Sequence, residues 1–292
     1  MKTYDIFIDF ECICGMFARK LNKPFYQIPL SYTIGYRNKQ KEINTIFEIV
    51  NFEDSIPMNN NFINYVHEDF SRTIMNNINL LVKGSEIIKV ENVNFIGWNP
   101  CLEEQILTSV FKRKIAVESL MKSCFEQGKL GIKREISLSK ITKKGYSEKK
   151  YFVNFRKEIE KTLSSEEIEK LNLNHDGALA SYSGFVLYNI IRKTVKTKYH
   201  IYISAKLLIK ELEEYALDDI YRMFYFMDNL SEIKETLKNI KIVDELKREI
   251  NTNVRLMSLL SEYNPNLKIK DLNKKLEKDK KDCEKKILLF EK

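Results

Sequence analysis

Chain breakers are scarce in this sequence of 292 residues, which holds nine glycines and five prolines. That scarcity argues against low-complexity linkers and for long regular elements. Cysteine is sparse too. The five cysteines (Cys12, Cys14, Cys101, Cys124 and Cys283) are odd in number and show no Cys-x-x-Cys spacing. Neither a disulfide framework nor a thiolate zinc site is indicated, and a reducing cytoplasmic location is expected. No apolar run approaches membrane-spanning length, so no membrane partner is expected. The first residues lead directly into a strand pattern carrying acids rather than into a signal peptide. There is no internal repeat.

What is present is a balanced globular composition, 43% hydrophobic and 31% charged. The length allows one large domain, or one domain with a helical appendage. A net charge of +8 points toward a polyanionic partner. The excess is local: residues 122–161 carry 12 Lys/Arg against five Asp/Glu. A concentrated basic surface suits nucleic acid better than a diffuse one.

The stretch Tyr4 to Cys12 combines a β-rich apolar run (Ile6, Phe7, Ile8, Phe10) with Asp9 and Glu11 at its far end. Strand side chains alternate in direction, so the two carboxylates share a face. Adjacent like charges repel, and a divalent cation is the natural partner for carboxylate oxygens. On these residues alone, acids marking an ordinary strand's exit to solvent are an equal reading.

An irregular connection is expected over 12–27, a second strand over 28–36, and its antiparallel hairpin partner within 40–50. Apolar residues at helical spacing (Phe62, Val66, Phe70, Ile74, Ile78, Leu81) predict a helix over 62–82. A strand over 87–98 stops at Asn99-Pro100, which reads as a helix start with Asn capping and Pro in the first position. The helix over 100–114 then carries Glu103 in its first turn, at a strand-helix junction of the kind where sites are built. Glu103 and Glu104 both also suit a helix dipole. Residues 120–151 read as basic and less regular, 165–171 as a short helix, and Asn174-His175-Asp176-Gly177 as a turn. A helix over 178–192 with small residues (Ala178, Ala180, Ser181, Gly184) is built for close packing, and another follows over 204–230. On that last helix Tyr215 and Asp219 lie one turn apart. Helical phase predicts Asp219 on the apolar side with Leu212 and Ala216, and Asp218 toward solvent. Residues 231–292 form a charged, heptad-like helical extension, broken at Asn264-Pro265-Asn266, whose plain reading is packing or oligomerisation. The expected domains are therefore 1–230 and 231–292.

Three acid signals stand in order: Asp9-Phe10-Glu11, Asn99-Pro100-Cys101-Leu102-Glu103, and Tyr215-Ala216-Leu217-Asp218-Asp219. Together they resemble the three motifs of the DEDD superfamily of ribonuclease H-like 3′-to-5′ exonucleases: Asp-x-Glu, Asn-x-x-[Phe/Tyr]-Asp, and Tyr-x-x-x-Asp in the tyrosine branch. The middle motif departs, with Leu for the aromatic and Glu for Asp. The histidine branch does not fit, because His175 is followed five residues later by Ala180 rather than an acid. The chain is more closely similar to an uncharacterised bacterial DEDD-type domain in which Glu is normal in the middle motif. The segments carrying that likeness are Pro24 to Pro29, Gly131-Ile132-Lys133 and Gly177-Ala178-Leu179-Ala180. It covers roughly residues 1–230.

The resemblance implies an α/β fold: a ribonuclease H-like mixed sheet flanked by helices, with the helical extension appended. It implies phosphodiester hydrolysis of DNA or RNA by a two-metal-ion mechanism. Asp9, Glu11, Glu103 and Asp219 would hold two Mg²⁺ or Mn²⁺ ions, and Tyr215 would orient the attacking water. The nearby basic residues would hold a backbone, most simply single-stranded, without reading sequence. Asn99 as a cap, and Tyr26 or Gln27 as substrate contacts, are lesser assignments. The competing expectation is a catalytically degenerate module that binds nucleic acid or protein. A third, a structural adaptor, rests on the extension alone, through which oligomers could form.

Overall fold

A computed structural model of the chain describes residues 3–21, 25–52, 57–84, 87–122, 136–143, 145–146, 149–193, 199–263 and 267–290. The basic Gly131-Ile132-Lys133 segment, Pro24 and the break at Asn264-Pro265-Asn266 lie outside the described residues. The described part of residues 1–124 and 137–225 forms one compact unit, and the chain from Phe226 onward belongs to a second.

The first unit is α/β. Strands β1 (Tyr4–Cys14), β2 (Gln27–Arg37), β3 (Ile43–Ile49), β4 (Val93–Gly97) and β5 (Val117–Ser119) make a mixed sheet in the order β3-β2-β1-β4-β5. β1 runs antiparallel to β2 and parallel to β4. It is the central strand, and the direction of strand connection changes at it. In open α/β sheets such a switch point leaves a crevice beyond the strand ends.

Helix α1 (Gly15–Leu21) replaces the irregular connection expected over 12–27. Seven residues are too short to signal or hold a helix alone. Tertiary packing supplies what propensity does not: Phe17 stacks on Tyr182 with ring centroids 4.8 Å apart. Helix α2 (Asn60–Val82) follows the predicted periodicity and is capped by the side chain of Asn59. β4 is shorter than the predicted 87–98, because a 3₁₀ turn occupies Val90–Asn92. Helix α3 (Cys101–Val110) begins one residue later than expected. Pro100 takes the cap position with no side-chain hydrogen bond, so Asn99 is not the cap; its carbonyl accepts from the Cys101 N–H instead. β5 has three residues, too few to leave a pattern in sequence.

The stretch read as irregular, 120–151, contains α4 (Leu138–Thr142), and just beyond it α5 (Val153–Thr162) fills residues for which no element was expected. The first turn of α5 is held by Glu211, a buried acid whose carboxylate accepts from the N–H groups of Asn154 and Phe155 at 2.8 and 3.1 Å. An acid from a distant helix thus does the work of an N-cap. Helix α6 (Ser165–Lys170) carries a full capping box between Ser164 and Glu167. Helix α7 (Asp176–Ile191) starts two residues earlier than predicted, so Gly177 sits in its first turn rather than in a preceding turn. Helix α8 (Ala205–Asp228) matches expectation closely.

The sheet lies between helices. On one face Phe10 and Tyr32 meet Phe70 of α2, and Asn77 of α2 donates to the Tyr32 hydroxyl at 2.9 Å. The small residues of α7 serve as predicted: a Cβ at Gly184 would sit 2.6 Å from both Ile13 and Leu30. On the other face α8 crosses the sheet. Phe224 packs 4.3 Å from Phe7, and a Cβ at Gly35, the cross-strand partner of Phe7, would come within 2.4 Å of Ile220. Only a residue without a side chain lets α8 approach this closely.

In the second unit, α9 (Leu230–Tyr263) and α10 (Leu267–Phe290) pack on each other. Buried Cys283 of α10 meets Glu249 of α9, the pairing of an antiparallel hairpin. Leu237 and Val243 of the predicted stripe are buried, but Val254 is exposed, so the heptad pattern does not hold throughout. Among the described residues no helix is long and apolar enough to cross a membrane.

Candidate metal centre

Asp9 and Glu11 project from β1 on the face that α8 crosses, and Asp219 comes down from α8. Carboxylate oxygens of these three residues lie within 4.8 Å of one another. β1 and β2 set the angle of approach. Their register shifts between Glu11, which pairs with Ser31, and Cys12, which pairs with Pro29, so Leu30 is the extra residue of a bulge on β2, beside a proline that has no N–H to offer a ladder. Bulges beside sites re-aim side chains, and this one turns Ile13 toward α7 while Asp9 and Glu11 stay on the α8 face.

Glu103 arrives from the first turn of α3. It is 7% exposed, and its carboxylate accepts from the backbone N–H of Phe10, between the two acids of β1. Both Asp9 and Glu11 feel its charge. Its oxygens stand outside the tight trio. Of the two neighbouring candidates in that turn, Glu103 rather than Glu104 faces the site.

The electrostatics follow from crowding. Burial, then Glu11, Asp219 and Glu103, push the Asp9 carboxyl well above the usual carboxylate range. Burial and then Asp219 do the same to Glu11. Burial raises Glu103 and Asp219 to about 7 each, the latter against the opposing pull of Arg222 and a hydrogen bond from Tyr215. Four acids held this way are costly without a cation. Across the strand, Ser31 pairs with Glu11 and Thr33 with Asp9, and both hydroxyls are fully buried with no hydrogen-bond partner among the described residues. Acid oxygens at mutual ligand distance, raised proton affinities and orphaned hydroxyls alongside make a hard, oxygen-rich donor set suited to a divalent ion.

Tyr215, one turn before Asp219, packs on Phe152 and Tyr151 with centroids 5.4 Å away in each case. Its hydroxyl, which donates to Asp219, lies 4.0 Å from where a Gly177 Cβ would stand. Asp9, Tyr215 and Asp219 open on one pocket of about 430 Å³, whose walls include Trp98, Leu138 and His175. His175 therefore reaches the pocket although its sequence spacing failed the histidine motif.

No protein-family model matches the chain, and no curated protein or solved structure matches it.

Asp218 overturns the expectation from helical phase. It is 1% exposed, and accepts from Lys149, Arg222 and Tyr146 at 2.8 Å each and from Tyr151. Arg222, also buried, donates onward to the Thr142 hydroxyl at 3.0 Å. It is Asp219 that is partly open to the pocket. Apolar residues surround α8 on both sides, so phase alone could not say which acid is interior. The i, i+4 spacing of Asp218 and Arg222 was the available signal. Tyr26 is 69% exposed with the Arg19 guanidinium 5.2 Å over its ring, and Gln27 hydrogen-bonds the Cys14 thiol.

Proposed function

We propose that the protein is a metal-dependent 3′-to-5′ exonuclease of the DEDD type, tyrosine branch, with a ribonuclease H-like sheet. One observation carries this reading. The carboxylates of Asp9 and Glu11 meet that of Asp219, more than two hundred positions further along the sequence, with oxygens within 4.8 Å of one another and Tyr215 hydrogen-bonded to Asp219. The five-stranded mixed sheet flanked by helices, with the acids on its central strand, supports it further.

In this reading Asp9, Glu11 and Asp219 hold Mg²⁺ or Mn²⁺, with Glu103 completing the set for two ions. When bound, such ions acidify a water and stabilise a leaving 3′ oxygen. Tyr215 orients the attacking water through its hydroxyl. Trp98 and Leu138 give the terminal nucleoside an apolar wall. Asp218 and Arg222 hold α4 and Tyr151 against α8, fixing the far side of the pocket. The substrate is DNA or RNA, presented as a single strand.

The test is Mn²⁺-dependent release of nucleotides from a labelled strand. Asp9→Ala should abolish it, and turnover unchanged in that variant would overturn the assignment. A second reading, a degenerate module that binds without cutting, is favoured by the use of the Glu103 carboxylate on a backbone N–H outside the trio. It predicts strand binding with no hydrolysis in Mn²⁺ by the wild-type chain.

A further inference from the structure

A second pocket, of about 380 Å³, adjoins the acid pocket and shares Tyr151 and Asp176 with it. Its character is opposite. Lys149, Lys150, Arg156 and Lys157 line it against the acids Glu160 and Asp176. Two of the four cations are already committed: Lys149 to Asp218 at 2.8 Å, and Arg156 to Asp176 at 2.6 Å. Lys150 and Lys157 are exposed and make no ion pair among the described residues. The floor is rigid, because Arg156 also donates to the carbonyls of Tyr151 and Leu173. The N-terminus of α5 is no anion site here, since Glu211 fills it. The attraction for an anion therefore comes from the lysines.

We infer that this pocket is a subsite for the phosphodiester backbone of a single strand, at the linkages 5′ to the bond that is cut. The inference rests on the nuclease reading above. In that reading one nucleotide lies beyond the scissile phosphate, so the remainder of the strand leaves the acid pocket through a neighbouring space. The space behind Tyr151 and Asp176 is cationic where the acid pocket is anionic, which matches a chain of phosphates whose scissile member alone is met by metal. Two unpaired lysines on a rigid wall suit successive phosphates, recognised by charge and not by sequence. Tyr151, on the shared wall, lies between the two subsites.

The experiment measures binding of a fluorescein-labelled oligothymidylate and an oligouridylate in EDTA, across a salt series, so that no hydrolysis is involved. The Lys150→Ala/Lys157→Ala variant should bind about tenfold more weakly. Its slope of log affinity against log salt should be shallower by about 1.4, the value for two lost contacts on a single strand. Hydrolysis of bis-p-nitrophenyl phosphate with Mn²⁺, a substrate too small to reach the lysines, should be unchanged in the same variant. Equal affinity and slope in variant and wild type would overturn the inference, as would failure of the wild-type chain to bind either oligonucleotide. Strand binding with the expected slope change, but no hydrolysis of either substrate, would uphold the subsite and reject the nuclease reading.

Discussion

The carboxylate of Glu103 accepts the backbone N–H of Phe10, which stands between Asp9 and Glu11 on β1. β1 pairs with β4 from Tyr4 to Phe7, and past that point the first turn of α3 takes over at its edge. One side chain both ties α3 to the central strand and adds charge to the acid cluster.

These two duties separate by mutation. Glu103→Gln keeps an acceptor for Phe10 but removes the charge, so stability should hold or rise while divalent-ion affinity falls. Glu103→Ala leaves a buried N–H unpaired and should cost about 1–3 kcal/mol in urea denaturation. Equal losses in both variants would show that the hydrogen bond has no part in stability.

Proton linkage gives a second expectation. Asp219 and Glu103 are raised to about 7, and Asp9 and Glu11 are also raised well above their ordinary values. Between the ordinary carboxylate range and these raised values, the folded state binds more protons than the unfolded one. Stability of the metal-free protein should therefore fall as pH rises from 5 to 8. Mn²⁺ should restore it, and by more at pH 8 than at pH 5. Asp219→Asn should flatten the metal-free slope. Melting curves in EDTA and in Mn²⁺ at both pH values measure this.

Tyr215→Phe tests the hydroxyl apart from the ring. The ring's packing on Phe152 and Tyr151 is kept, so melting temperature and Mn²⁺ affinity should change little. Nucleotide release should slow by about 10²-fold, the order expected when a positioned proton-transfer group is lost. Wild-type turnover in this variant would remove Tyr215 from the mechanism.

Asp218→Ala strands the buried Arg222 and should cost about 3–5 kcal/mol by denaturant titration. Replacing both residues by apolar ones of similar volume should recover much of that loss. Failure to recover would mean that the tyrosines and Thr142 depend on the pair for their own hydrogen bonds.

Gly35→Ala checks the closeness of α8. The added methyl would stand 2.4 Å from Ile220, one residue from Asp219. A loss of about 1–3 kcal/mol is expected, with weaker Mn²⁺ binding as α8 lifts from the sheet.

The parts of this protein that were legible in sequence are those fixed by local periodicity. β1, β2, α2 and α8 follow from alternation or 3.6-residue spacing, and the pairing of Asp9 with Glu11 follows from strand geometry. What was not legible depends on distant partners. α1 and α5 are short helices held by Phe17 against Tyr182 and by Glu211, and neither contact is written locally. Asp218 looked exposed because Lys149, Tyr146 and Tyr151 reach it from a stretch whose own pattern is irregular. Single-sequence reasoning finds the acids readily. It does not say which ones are neutralised by chain segments that fold over them later.

The bulge beside Pro29 has a consequence for how the chain finds this arrangement. Sliding β1 by one residue along β2 would turn Asp9 and Glu11 toward the aromatic side chains of α2 and bury both charges in oil. The bulge at Leu30, beside Pro29, marks the place along β2 where the alternation is reset. The irregularity in the sheet thus also helps to keep two negative charges from being sealed on the wrong side of it.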